Sequence, residues 1–565
     1  MAAPKITRHF ATVRYGRWGD RQVHYRRAGS GPVVVLFHQS PLSSRDVIPA
    51  MERWSRNFTC IAPDTPGYGL SDPLGVERAE MKDVAEAAVE FFDALGIDKA
   101  AVYGFHTGAM IAASVALHFP ERVTCGVSNG YVILTEPERA DILAHYLPTF
   151  APAWDGSHLT WLWSRMREQT IFFPWYRKGV ADRLAFDVPS PEALQAGLLD
   201  LLRAGDPYRV GYRAAFTMPS AEALTQMKVP VLITASGADV LAGHLPRIRR
   251  KSPSVTVEGG GSYDETLELC AAFLRKHPGG KPPGVAPEAG LAGRASNAFV
   301  EVPGGQLRLR RNAEGRGRPV VVLHEAAGSS DTVRRLAESF IGHRPVIAID
   351  LPGHGESDNV LPKGKVTVQA YAKVVAKALR ALGVAEFDCV GTEGGAVLGV
   401  ELALAEPKRM KKLVLALLPY FPKERQAELR AHSTPEITPN WYGGHLLHAW
   451  HLVRDQALFS PWYDRTRRAI VWKDPQIDPA TVHQRVVELF KAPQMWRAAY
   501  QAQLAYPLKS KLRQLTVPAL LGASPSAVNR EHTLAVARDF PSLPCLTLDD
   551  DPGKWGAQLL GFLGD

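Results

Sequence analysis

Short, almost uninterrupted apolar runs alternate with longer stretches of helical periodicity through the first half of the chain. The runs are Val33–Phe37, Cys60–Ala62, Ala100–Tyr103, Val123–Ser128, Val231–Ala235 and Ser254–Glu258. A run apolar at every position suits a strand covered on both faces, and alternation with helices predicts a mostly parallel sheet flanked by helices. A hairpin-like opening over Val13–Arg27 precedes the first run, and a helix-rich segment at about 131–227 interrupts the series, which predicts an inserted cap.

The pattern then repeats. "VVVLFHQSPLSS" (Val33–Ser44) returns as "VVVLHEAAGSS" (Val320–Ser330), and "APDTPGYGLSD" (Ala62–Asp72) as "AIDLPGHGESD" (Ala348–Asp358). An offset of 287 relates His106 to Glu393, Pro120 to Pro407, Trp163 to Trp450, Arg167 to Arg454 and Tyr176 to Tyr463. Each copy is long enough to bury its own core, so this is a tandem duplication and not a solenoid. Between the copies, residues 276–297 are rich in Pro, Gly and Ala, as a linker would be. The expected organisation is a first domain at 1–275 with its cap at about 131–227, the linker at 276–297, and a second domain at 298–565 with its cap at about 419–514. Tandem copies of a self-associating domain would pack as an intramolecular pseudo-dimer.

The stretch "VYGFHTGAMIAAS" (Val102–Ser114) reads as a strand, a sharp turn and a helix, with His106 at the centre of the turn; the second copy places Glu393 there. The His38-Gln39-Ser40-Pro41 loop, the Asp64-to-Asp72 loop, this elbow and the position of the cap resemble the α/β-hydrolase superfamily, in its branch of haloalkane dehalogenases and epoxide hydrolases. The resemblance implies two tandem α/β-hydrolase domains of the α/β class. It also implies a nucleophile at the elbow, a histidine on a late loop and an acid after a late strand. Only Asp239 matches the acid. The late loop of the first copy has Ser262 in place of histidine, and the second copy has Ala527 near the acid position and Asp551 near the histidine position.

His106 is therefore the candidate base or nucleophile, with Asp239 as its orienting acid, reached directly or through Ser262 or a water. The resemblance implies oxyanion donors from Gln39, Ser40 and Thr107. Asn129 and Tyr131 would face the same pocket, Trp163 and Trp175 would wall it, and Arg167 would clamp an anionic substrate group unless it pairs with a neighbouring acid and the aromatics pack the cap. Glu393 would be an inactive remnant. The function expected is an enzyme acting on a small organic carbonyl or ester-like substrate by hydrolysis, or by cofactor-free lyase or isomerase chemistry. The alternative is a catalytically silent ligand-binding or scaffold protein.

Charge adds little. The formal charge is +9, but 66 Lys and Arg are interspersed with 57 Asp and Glu without a basic block, which argues against nucleic acid as a partner. No metal or cofactor motif is present, and no run is long and apolar enough for a membrane span. Five isolated cysteines read as core thiols of a reducing compartment, and a cytoplasmic location is expected.

Overall fold

The computed structural model describes residues 4–285 and 289–564; residues 286–288 of the expected linker lie outside the described residues. It divides into two compact units. Unit 1 comprises Met1–Ala151, Thr160–Ala289 and Pro439–Trp441, and unit 2 comprises Pro152–Leu159, Gly290–Thr438 and Tyr442–Asp565.

Unit 1 is built on eight strands: β1 (Thr7–Val13), β2 (Arg21–Ala28), β3 (Val33–Phe37), β4 (Thr59–Pro63), β5 (Ala100–Phe105), β6 (Val123–Asn129), β7 (Val231–Thr234) and β8 (Val255–Val257). They lie in the order β1-β2-β4-β3-β5-β6-β7-β8. β1 and β2 are antiparallel and β2 is antiparallel to β4, while every later pairing is parallel. Unit 2 repeats this with β9 (Ser296–Val302), β10 (Gly305–Asn312), β11 (Val320–Leu323), β12 (Val346–Ile349), β13 (Phe387–Thr392), β14 (Met410–Ala416), β15 (Ala519–Ala523) and β16 (Cys545–Thr547). Its order, β9-β10-β12-β11-β13-β14-β15-β16, is the first order with each strand number raised by eight.

The continuous apolar runs follow from the two-sided burial of the sheet. Val33, Val35 and Phe37 of β3 pack into one core with Met110 and Ile111, whereas Val34 and Leu36 pack into the other with Trp54, Phe58 and Leu267. Alternate side chains of a strand point to opposite faces, so a strand buried on both faces must be apolar throughout. Helices Glu136–His145, Ser157–Gln169, Pro191–Ala204, Tyr208–Thr217 and Ser220–Ala223 lie between β6 and β7. Five helices from Lys423 to Leu512 lie between β14 and β15. Among the described residues no helix is long and apolar enough to cross a membrane. Four cysteines are buried as expected; Cys545 is exposed, because β16 is an end strand of its sheet.

Unit 2 also buries an ion pair that unit 1 lacks. Asp388 on β13 is fully buried against Arg344 at 2.6 Å, where the matching residue of unit 1 is Ala101. Removing one partner strands the other charge in the interior. Asp388→Ala should therefore destabilise unit 2 by about 3–5 kcal/mol, seen as a shift of its urea transition to lower denaturant. A shift worth less than 1 kcal/mol would mean that Arg344 finds compensation elsewhere.

Candidate functional site

β5 ends at Phe105, and the chain turns through His106 (φ 49°, ψ −109°) into helix Thr107–His118. A positive φ is costly for a residue with a Cβ, and the turn is held in it by close packing. A Cβ on Gly104 would lie 1.8 Å from the Gly108 carbonyl oxygen, and one on Gly108 would lie 2.1 Å from the Phe37 oxygen. Glycine at both places lets strand, turn and helix approach this closely. The His106 N–H donates to the Asn129 carbonyl at 2.9 Å, tying the elbow to the end of β6.

The imidazole stacks on Phe105 and lies across Gly130, where a Cβ would come within 2.2 Å of its Cδ2. In this position Nε2 is 2.9 and 3.0 Å from the two carboxylate oxygens of Asp239, which follows β7. Asp239 is 5 % exposed and the His106 side chain 24 %. Desolvation raises the Asp239 carboxyl, but the His106 hydrogen bond and charge, with the Leu241 N–H at 2.7 Å, bring it below its ordinary value. An ionised Asp239 calls for a proton on Nε2, which leaves the lone pair on Nδ1. Nδ1 hydrogen-bonds to no described residue.

The other expected residues divide. Gln39 directs both its N–H (3.3 Å) and its side-chain amide (3.0 Å) to Asp46, and the Ser40 N–H points to Thr107 Oγ1 at 3.4 Å. Ser40 Oγ donates to the Tyr68 hydroxyl at 2.9 Å. Neither loop N–H is therefore free as a donor in this state. The first N–H groups of helix Thr107–His118 have no intrahelical acceptor and are the remaining donors at the elbow. Asn129 is buried beneath the elbow with its amide on Tyr103, and the Tyr131 hydroxyl is spent on the Ser220 carbonyl at 2.9 Å. Ser262 stands outside the site: it caps helix Tyr263–Lys276 and bonds Glu265, while His106 meets Asp239 without it.

Trp163 is buried, its indole donating to the Trp441 carbonyl within unit 1, and Trp175 donates to the Tyr146 carbonyl. Arg167 reaches its neighbour Glu168 at 3.4 Å and lies over the Trp441 ring, the packing alternative considered from the sequence. The enclosed guanidinium is instead Arg165, 2 % exposed, ringed by Tyr146, Trp175 and Tyr208 and hydrogen-bonded to Gln169. Sequence reasoning passed over Arg165, Asp46 and Gly130. The duplication carried a signal for the first: Arg167 recurs as Arg454, whereas Arg165 becomes Leu452. Burial raises the Asp46 carboxyl, opposed by the Gln39 hydrogen bonds and by the charges of His38 and His106, so it belongs to the same polar surroundings. His38 and His324 are paired scaffold residues. Each contacts the carbonyl of the next residue through Nδ1 and accepts through Nε2 from the loop after β4 or β12.

In unit 2 Glu393 has the same strained backbone (φ 49°, ψ −117°), and Gly391 and Gly395 make the same close approaches. The residue matching Gly130 is Leu417, which keeps a positive φ of 55° but carries a Cβ. The Glu393 side chain is exposed to solvent. Desolvation and the nearby Glu325 push its carboxyl up to about 7, against Arg485. With a folded value above the unfolded one near 4.5, Glu393 favours folding fully at acid pH, and that contribution is lost as pH rises to 7 and beyond. Glu393→Gln should leave unit 2 little changed at pH 4 and stabilise it relative to wild type at pH 8.5. The shift corresponds to about 3 kcal/mol, which access of water reduces to roughly 1–2 kcal/mol. Urea unfolding at the two pH values measures it; an equal difference at both would mean that Glu393 titrates normally.

The family model described as alpha/beta hydrolase fold matches residues 32–190 and 318–446, together just over half of the chain. Haloalkane dehalogenase 2 of Mycobacterium tuberculosis is 34% identical over 113 residues, 19% of this chain and 38% of that protein. The 2-(acetamidomethylene)succinate hydrolase of Mesorhizobium japonicum is 32% identical over 143 residues, 25% of this chain and 51% of that protein. The chain thus spans about half or less of the length of these curated relatives. Among solved structures, the enol-lactonase from Burkholderia xenovorans matches with 19% identity and a TM-score of 0.37, over 47% of this chain and 100% of that one. With two matched segments lying on two sheets of one topology, the chain belongs to the α/β-hydrolase fold family.

Proposed function

We propose that unit 1 is a hydrolase-type enzyme for a small organic carbonyl or ester-like substrate, with His106 as general base and Asp239 as the acid that orients it. The observation that carries this reading is the direct His106–Asp239 contact, which fixes the tautomer and leaves Nδ1 unpartnered on a side chain that solvent reaches. Nδ1 is flanked by the ring carbon bearing Cβ, so acyl transfer to it is crowded while proton transfer is not; the base role is favoured over the nucleophile.

In the hydrolytic step a water attacks the carbonyl carbon as Nδ1 takes its proton, and the carbonyl oxygen becomes an oxyanion near the Thr107 and Gly108 N–H groups. Collapse of the intermediate expels the leaving group, which receives the proton back from the imidazolium. The helices between β6 and β7 would serve as the cap over this site. Relatives named as a dehalogenase and a succinate-derivative hydrolase act on small molecules, in keeping with this class. Abstraction of an acidic C–H by the same nitrogen would give lyase or isomerase chemistry from the same geometry.

The test is a turnover screen across p-nitrophenyl esters, lactones, 1,3-diketones and haloalkanes, with wild type beside His106→Ala. Turnover of a carbonyl substrate that depends on His106 supports the assignment. Equal turnover by both proteins, or none by wild type, overturns it.

A further inference from the structure

Four arginines among the described residues are at most 2 % exposed. Three of them face a carboxylate: Arg21 meets Glu90 at 2.5 Å, Arg308 meets Asp331 at 2.8 Å and Arg344 meets Asp388 at 2.6 Å. The fourth, Arg165 on helix Ser157–Gln169, meets none among the described residues. Its Nη1 donates to Gln169 Oε1 at 3.0 Å and lies 3.5 Å from Met166 Sδ, while Nε and Nη2 are buried and hydrogen-bond to no described residue. The carboxylates of the neighbouring segments between β6 and β7 are engaged elsewhere: Glu168 with Lys178 at 2.6 Å, Asp200 with Arg203 at 3.0 Å and Asp206 with Arg209 at 2.5 Å.

Packing alone does not ask for a cation here, because unit 2 places the buried, apolar Leu452 at the matching point. An ion taken out of water without a partner costs several kcal/mol. The rings of Tyr146, Trp175 and Tyr208 lie 5.9, 5.6 and 5.7 Å from Cζ of Arg165. That is close to the outer limit, about 6 Å, at which a ring face attracts a cation, so the rings do not replace an anion. Nε and Nη2 form one edge of the guanidinium, and their parallel N–H bonds are the fork that matches both oxygens of a carboxylate. A phosphate or sulfate would leave further oxygens among these rings without donors.

A chain of contacts leads from this cation to the elbow. The Tyr208 ring lies against Arg165, and the Tyr68 hydroxyl donates to the Tyr208 carbonyl at 2.5 Å and accepts from Ser40 Oγ at 2.9 Å. The Ser40 N–H in turn points to Thr107, the residue after His106. We propose that the Nε and Nη2 edge of Arg165 seats a carboxylate, and that the substrate of unit 1 is a carbonyl or ester-like compound bearing a carboxylate as its second functional group. The substrate class rests on the reading of His106 as base; the carboxylate seat does not.

The experiment is titration of the full chain with sodium butyrate by calorimetry and ligand-observed NMR, with butanamide as the neutral probe of the same shape. Butyrate should bind and butanamide should not. Arg165→Met should weaken butyrate by about tenfold to a hundredfold, the worth of a charge-assisted pair of hydrogen bonds. Arg165→Lys keeps a charge in place should the apolar variant fail to fold, and it should lose about tenfold because an ammonium cannot fork. Butyrate should also compete with any substrate whose turnover depends on His106. No butyrate binding at millimolar concentration, equal binding of butanamide, or full affinity in Arg165→Met or Arg165→Lys would overturn the seat, even where His106-dependent turnover stands. Butyrate bound through Arg165 without competing with such a substrate would overturn the substrate class. Butyrate bound through Arg165 in a protein with no His106-dependent turnover would overturn the base at His106 and the substrate class with it, and leave the seat in place.

Discussion

His106→Ala should lower kcat/KM of unit 1 by about 10²–10⁴-fold, the range that a positioned general base supplies. Asp239→Asn should approach the same loss by a different route. The carboxylate demands a proton on Nε2 and so keeps the Nδ1 lone pair available. An amide at that position can donate to Nε2 instead, which favours the tautomer with hydrogen on Nδ1 and removes the base. The two changes act on one unit, so the double variant should be hardly worse than His106→Ala alone. Initial-rate measurements on the four proteins of this cycle decide the matter. Losses that multiply would mean that Asp239 acts independently of the imidazole, and a fully active Asp239→Asn would end its orienting role.

Gly130→Ala should be almost as damaging without touching either group chemically. The added methyl would lie 2.2 Å from His106 Cδ2 and 2.9 Å from Nε2, closer than a Cβ comes to non-bonded atoms, and φ of +76° already disfavours a residue with a Cβ. The imidazole is the mobile partner, being partly exposed, while Gly130 is bound through its N–H to the Thr234 carbonyl at 2.7 Å. The ring should therefore swing off Asp239, with a loss of at least about 10²-fold in turnover. The cost in stability should be about 1–3 kcal/mol from backbone strain. A crystal structure of the variant would show the imidazole rotated away from the carboxylate. An active variant with the His106–Asp239 contact intact would show that the backbone yields instead.

Much of the scaffold could be read from the sequence, because runs such as Val33–Phe37 are apolar at every position only when both faces are covered, and because the offset of 287 makes each half a control for the other. The elbow was legible for a similar reason: Gly104 and Gly108 mark the close approach that defines it. The pairing of His106 with Asp239 could be suspected from the order of the strands, but the sequence cannot show that the ring gets there without help from Ser262, since that depends on the room left by Gly130. Ser262, followed three residues later by Glu265, is a helix-capping signature. That local role prevails over any place in the site. Arg167 was singled out because it recurs, yet recurrence in two copies with different elbows marks scaffold; Arg165, present in one copy alone, is the enclosed cation. The engagement of the Gln39 and Ser40 N–H groups lay beyond reach, because it depends on Asp46 and Thr107 side chains turning inward.

The exchange of Gly130 for Leu417 sets an order on how one elbow could become the other. A histidine introduced at position 393 alone would find its path crossed by a Cβ, and an aspartate added after β15 would gain nothing until that obstacle had gone. In the other direction, unit 1 tolerates a larger residue at 130 only after it has given up the imidazole. Each intermediate has the new group without its partner, so the changes are useless singly and advantageous only together. The two halves of this chain are therefore separated by a mutational valley, and drift at one glycine is enough to make the difference between their elbows hard to reverse.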